Sequence, residues 1–397
     1  MAFAQNDIPE LQRPCPMQVL QVHFDPLGSP ALLAQRLQEA VRAGARSLLV
    51  LAGDGVAWPA AEVDPLLQAL PVPVFGGVFP QVLHGTTHTE TGLLVVALRN
   101  EAVVTTVEGL DTPGTDFQAP LAAAAAHPSS MQLVLVDGLA PFIADFIEAV
   151  FEQIGGGASF LGGGAGSLSF EVRPCLFTPG GLRSGVGLVV GLDSPLGIGV
   201  HHGWQSISGP FVVTGSEGNT ITSLDYRPAA EVYRECVEPI VGETLTPENF
   251  FQHAKGHPFG IERVDGSLLV RDPIVMRGEH LVCVGAVPVQ RMVYILRGQP
   301  DELISAAQQG TVQAVQALQA TGRPPAGALL VDCISRVLFL GPRFGEELQA
   351  ASAHLQQAAG PGAPLFGVLS LGEIANNGTH VLDFYNKTFV LGAYGHA

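Results

Sequence analysis

Apolar positions along this chain fall into two periods, and their alternation divides the 397 residues into a recurring unit. Uninterrupted apolar runs end in an acidic turn three times, at Leu48–Asp54, Leu133–Asp137 and Ala328–Asp332. Runs of leucine and valine without polar alternation predict strands covered on both faces. After the second run Phe142, Phe146, Val150 and Ile154 recur every four residues, which predicts a helix with one apolar stripe that stops at Gly155-Gly156-Gly157. Phe344, Leu348 and Leu355 predict the same after the third run. Ahead of the first, Ser29-Pro30 predicts the start of a helix that turns Leu33, Leu37 and Val41 inward and ends at Gly44.

A short strand then runs into glycine in each copy: Val74-Phe75-Gly76-Gly77, Phe160-Leu161-Gly162-Gly163-Gly164 and Leu365-Phe366-Gly367. These glycines predict turns of positive φ or places of close backbone approach. An irregular segment and a closing strand complete the unit, at Leu93–Leu98, Leu188–Leu192 and Phe389–Ala393. The interval from acid to glycine differs between copies, so the unit is a structural echo and not a tandem repeat of fixed period. Between copies two and three the pattern changes. It predicts strand from Ile198 to Thr222, a short helix capped by Asp225 with Val232, Tyr233 and Cys236 inward, strands at Ser267–Val270 and Leu281–Val284, and a helix from Asp301 to Gln319. Leu168–Phe177 reads as strand, and Ser206–Pro210 and Thr321–Ala326 read as linkers. The alternation of strands and helices predicts an α/β fold of mixed, largely covered sheets built from repeated strand-helix-strand-loop-strand modules. The length predicts two domains.

Composition narrows the function classes. Hydrophobic residues make up 47% and charged residues 14% of the chain, so it is core-rich. A net charge of −17 without any cluster of lysine or arginine argues against a nucleic-acid partner. Cys15, Cys175, Cys236, Cys283 and Cys333 stand singly, which points to neither disulfides nor a thiolate metal site and fits a reducing compartment. Residues 1–19 lack the basic and apolar regions of a leader, and the most apolar stretch, Val186–Val200, is broken by Gly191, Asp193, Pro195 and Gly197. A soluble, cytoplasmic protein without membrane contact is expected, with no metal and no cofactor.

Several groups are candidates for chemistry, each with a plainer alternative. Gly162–Gly166 opens no helix and has Ser167 where a dinucleotide fingerprint needs glycine, so it is either a tight turn or a pocket wall offering backbone N–H groups. His201 and His202 are adjacent and face opposite ways on a strand, which argues against a metal pair. His84 and His88, like His253 and His257, lack the glutamate of a zinc helix and read as solvated loop residues. Trp204 is a flat apolar wall with a polar tip, or core. Cys333 beside Arg336 is a thiol activated by a guanidinium, or a small buried hydrophobe. Ser370 has the wrong glycine spacing for a nucleophile elbow. Glu373, Asn386 and Thr388 are caps or ligand contacts.

Taken in order, these strings resemble the FIST family of signal-transduction modules. In the first half the resemblance rests on Val74-Phe-Gly-Gly77, Phe160-Leu-Gly-Gly-Gly-Ala165, Ser184-Gly-Val-Gly-Leu-Val-Val190 and His202-Gly-Trp204. In the second it rests on Thr214, Gly218-Asn219, Leu224-Asp225, Arg227-Pro-Ala229, Tyr233, Cys333-Ile-Ser-Arg336, Leu365-Phe-Gly367, Gly372-Glu-Ile374 and Asn386-Lys-Thr388. The resemblance implies FIST N-terminal and C-terminal domains over residues 1–205 and 206–397, leaving no length for an output domain. It implies binding of a small, amino-acid-like ligand and signalling through a separate protein, and it implies sensing without turnover. In the first copy Gly76-Gly77-Val78-Phe79-Pro80 replaces the family's more polar turn.

If the three modules pack around one axis, their glycine turns cluster, and Gly162, Gly163, Gly164, His202, Trp204, Cys333, Arg336 and Glu373 meet in one cleft, with Asn386 as a further ligand contact. There Arg336 would pair a ligand carboxylate in fork geometry, Glu373 an ammonium, Trp204 the apolar body, and glycine N–H groups would orient it. Two alternatives remain: an enzyme with Cys333 as nucleophile and His202 as base, or a scaffold whose cleft is filled by side chains.

Overall fold

A computed structural model describes residues 18–127, 129–376 and 381–395; Cys15 lies outside them. The apolar runs form the centres of three six-stranded sheets with one plan. In the first, Ser47–Gly53 lies parallel to Val74–Phe79 on one side and antiparallel to Leu93–Leu98 on the other, with Val19–Asp25 beyond. The second repeats this with Met131–Asp137, Ser159–Ala165, Val186–Leu192 and Val103–Glu108. In the third the equivalents are Pro325–Cys333, Leu365–Ser370, Phe389–Gly395 and Leu196–His201.

Both faces of the central strands are buried, and their residues alternate between two cores. Leu49, Leu51, Leu133, Leu135, Leu329 and Val331 point into one shared interior between the sheets. Leu48 and Val50 pack under the helices Pro30–Arg42 and Ala60–Gln68. Val134 and Val136 pack under Gln118–Ala125 and Ile143–Ile154, and Ala328 and Leu330 under Pro300–Ala320 and Phe344–Ala359. That double coverage is why the runs are apolar at every position and not at every second one.

The irregular segments turn out to be hairpins exchanged in a ring. The hairpin Gln81–His84 and Thr87–Thr89 of the first unit completes the third sheet beside Leu365–Ser370. Glu373–Ala375 and Asp383–Tyr385 of the third complete the second sheet beside Ser159–Ala165. Leu176–Thr178 and Gly181–Arg183 of the second complete the first beside Val74–Phe79. Each unit therefore gives one hairpin and receives another, which closes the three around a common axis.

The marked glycines lie inside strands and not in turns, and of the two expectations it is close backbone approach that holds at all three, with Gly76 also at a positive φ of 142°. Gly76, Gly162 and Gly367 occupy one equivalent register position, opposite Val50, Val134 and Leu330 of the parallel neighbour. A Cβ at any of the three would overlap that neighbour's carbonyl oxygen. Close approach is what requires glycine at all three positions.

The segment between copies two and three is an insertion into the third unit, between its edge strand Leu196–His201 and its first helix. Gln205–Glu217, Met292–Arg297, Phe259–Glu262, Leu268–Arg277, His280–Val284 and Thr220–Leu224 pair in that order, and the last returns to the first, closing a six-stranded barrel. Ser206–Pro210 is part of the first of these strands and no linker; its Gly209 and Pro210 accompany shifts of register against Met292–Arg297. Asp225 sits in a left-handed turn at φ 48°, and the helix starts later, at Ala229–Val241 with Pro228 as its cap. Of Leu168–Phe177 only the last two residues join a strand. No helix among the described residues is long and apolar enough to cross a membrane.

Candidate functional site

The strands Pro325–Cys333 and Leu365–Ser370 are parallel, so their carboxyl ends open on the same edge of the third sheet, the usual place for a ligand in such sheets. Asp332, Cys333 and Ser370 stand at that edge. Ile334–Leu340 starts there and brings Arg336; Phe344–Ala359 brings Glu347. The edge strand ends at His201, which leaves His202 and Trp204 beside it. Glu373 arrives with the exchanged hairpin, Asn386, Lys387 and Thr388 precede the closing strand, and the barrel presents Asp272 from above. Arg336, Lys387, Asp272, Asp332, Glu347 and Glu373 are all buried.

Arg336 organises one half of this cluster. Its Nε and Nη2 donate to the two oxygens of Glu347 at 3.0 and 2.6 Å. Nη1 donates to the carbonyls of His202 and Lys387 at 2.7 and 3.3 Å, and Nη2 to that of Leu303 at 3.0 Å. A guanidinium has five N–H groups, and all five have partners in the protein. The expected pairing with a ligand carboxylate is thereby corrected: Arg336 has no donor left for one. Asp332 lies 3.3 Å from Arg336 Nε, yet burial and the charge of Glu347 hold its carboxyl well above the usual range, and its Oδ2 has no hydrogen-bond partner.

Lys387 organises the other half. Its Nζ lies 3.0 Å from Asp272 Oδ2 and donates to the carbonyl of Lys255 at 3.0 Å, with the Trp204 ring 5.2 Å away. Ser335 Oγ donates to the same carboxylate oxygen at 3.0 Å. Burial raises the Asp272 carboxyl above its ordinary range, opposed by Lys387. Lys387 holds φ 54°, a left-handed backbone uncommon for a residue with a side chain. Trp204 Nε1 donates to the Lys387 carbonyl at 3.0 Å, and its ring packs on Phe339 with centroids 5.0 Å apart.

Glu373 accepts from Ser370 Oγ at 2.9 Å and from the Thr388 N–H at 3.1 Å. Burial nonetheless pushes its carboxyl up to about 8. The Cys333 thiol is raised well above its ordinary value by burial and by Glu373. His202 Nδ1 is taken by the Trp204 N–H at 2.9 Å, and burial, reinforced by Arg336, pushes the ring down to about 4. A protonated thiol beside a committed imidazole does not make a nucleophile and base.

The structure thus brings Gly163, His202, Trp204, Cys333, Arg336, Glu373 and Asn386 together, but as a closed, packed cluster and not an open cleft, which is the arrangement expected of the scaffold alternative. Gly163 pairs with Glu373, and the Gly164 N–H donates to the Gly372 carbonyl at 2.8 Å. Gly162, Gly163 and Gly164 are sheet members paired with Met131–Asp137, so their backbone is not free to orient a ligand as expected. His84 and His88 lie on the exchanged hairpin, His253 lies in the helix Phe250–Ala254 beside Glu243, and His257 is buried; none is a solvated loop residue. Lys387, Asp272, Asp332 and Glu347 were not singled out as ligand groups by sequence reasoning. A signal existed for Lys387: the chain has two lysines, Lys255 and Lys387, and they meet here.

A family model described as the FIST N domain matches residues 47–227, and one described as the FIST C domain matches residues 229–376. No curated protein matches the chain. Gly162–Trp204 falls within the first match and Asp272–Glu373 within the second, while Asn386–Thr388 lies beyond both.

Proposed function

Because the chain belongs to the FIST family, whose domains are sensory, ligand-binding modules of signal transduction, we propose that it binds a small ligand at the ionic cluster beneath the barrel and passes its bound or free state to a separate signalling protein. The observation that carries this reading is the cluster itself: six ionisable side chains buried together at the carboxyl edge of the third sheet, in a chain in which Asp, Glu, Lys and Arg make up only 14%. Buried ions add little to stability over apolar packing of the same volume, so stability alone does not call for them. The left-handed backbone of Lys387 adds strain at the same place.

Asp272 and Lys255 belong to the barrel insertion, whereas Lys387 and Ser335 belong to the third sheet and its helix. A ligand entering the cluster must rearrange these contacts, and the barrel then reports occupancy outward. The reading is sensing without turnover, since Cys333 is held as a thiol. The free thiols of Cys175, Cys236, Cys283 and Cys333 fit a reducing cytoplasm, where we place this sensing.

Thermal denaturation of dialysed protein against amino acids, small carboxylates and amines tests it. A one-site ligand at a hundredfold excess over its Kd adds about 2.7 kcal/mol. A midpoint that none of these compounds raises overturns the reading.

A further inference from the structure

Two buried acceptors of the cluster, Asp272 Oδ1 and Asn386 Oδ1, are left without donors, and from this we infer that its ligand is a small primary amine, held through its ammonium group and needing no carboxylate. The inference rests on the reading of the cluster as a ligand site. Its cationic donors are engaged: Arg336 with Glu347 and three carbonyls, Lys387 with Asp272, the Lys255 carbonyl and the Trp204 ring. Ser335 and Ser370 are likewise spent on Asp272 and Glu373.

The buried atoms left without a partner here are acceptors. Asp272 Oδ1 and Asn386 Oδ1 have none, although these residues are only 2% and 3% exposed. Asp332 Oδ2, on a fully buried side chain, has no partner either. A buried acceptor without a donor is destabilising, and a ligand N–H removes that cost.

The two ends of an amino acid differ in what they bring. A carboxylate would bring further acceptors to a place where Asp272 Oδ1 and Asn386 Oδ1 already lack donors. An ammonium brings three N–H groups and a positive charge. Among the described residues no three His, Cys, Asp or Glu side chains come together to hold a metal ion, so the cation is an organic one. Trp204 and Phe339 provide the apolar wall for its body.

Matched triplets separate this inference from the reading beneath it. Alanine, leucine and phenylalanine are each compared with the amine lacking the carboxylate (ethylamine, 3-methylbutylamine, 2-phenylethylamine) and with the acid lacking the amine (propionate, 4-methylpentanoate, 3-phenylpropionate). In at least one triplet the amine should raise the denaturation midpoint at least as far as the amino acid, and the acid should leave it unchanged. An acid that raises the midpoint where its amine does not overturns the amine inference and leaves the ligand site standing. An amino acid that acts where neither half does also overturns it, and silence from all nine compounds overturns both. Asn386→Ala removes an acceptor that is unpartnered before binding. Read against the variant's own midpoint, the amine's affinity should fall about tenfold; an unchanged affinity contradicts the assignment.

Discussion

Arg336→Leu should lower the stability of the protein by about 3–5 kcal/mol, measured as the shift of its urea midpoint at constant slope. The variant removes a cation from between two buried acids and takes a donor from three carbonyls, of which that of Lys387 keeps the Trp204 indole N–H. Most of the loss comes from what is left behind. Glu347 is then an unpaired buried carboxylate, which costs far more than the salt bridge contributed. The double variant Arg336→Leu with Glu347→Leu should therefore be more stable than the single one, because no charge is stranded. A loss below about 1 kcal/mol for the single variant would mean that water reaches the cluster and that it is not the sealed network described above.

Gly162→Ala should cost about 3 kcal/mol or more, by the same measurement. Its Cβ has no room, because the Val134 carbonyl of the parallel strand occupies the position, and a central strand cannot shift without disturbing both neighbours. Gly157→Ala, three residues past the helix end at Ile154, supplies the control: nothing lies within 4 Å of a Cβ there, and its effect should stay within about 0.5 kcal/mol. Equal midpoints for the two variants would contradict the close approach that Gly76 and Gly367 share in the other units.

Much of the ring was legible along the chain, for a physical reason. Central strands covered on both faces write themselves as unbroken apolar runs, and helices packed on one side write a four-residue stripe, as Phe146 and Val150 do. The exchanged hairpins were not legible. Their strands are three or four residues long, too short for a period, and their partners lie in another unit: Glu373 pairs with Gly163, 210 positions away. The barrel was obscured in a similar way, since register shifts at Ser206–Phe211 place glycine and proline inside a strand.

The site was legible as a set of places and not as a set of roles. Cys333, Arg336, Glu373 and Asn386 announced themselves as polar groups among apolar ones at strand ends. What each does depends on partners that local sequence does not reveal. Glu347 follows Arg336 by 11 residues, but the two meet only because Gly341–Arg343 turns the chain between their helices. Asp272 reaches Lys387 across 115 positions, from the barrel to the third sheet. A fork aimed at a ligand and a fork filled by a neighbouring acid look the same in sequence.

The claim that ligand occupies the cluster is tested most directly by amide hydrogen exchange, comparing free protein with protein saturated by whichever compound raises its midpoint. Slower exchange should be confined to residues 332–336, 370–373 and 386–388 and to the barrel around Asp272. Protection that leaves these segments unchanged and appears elsewhere, as in the groove between Pro30–Arg42 and Ala60–Gln68, would contradict it.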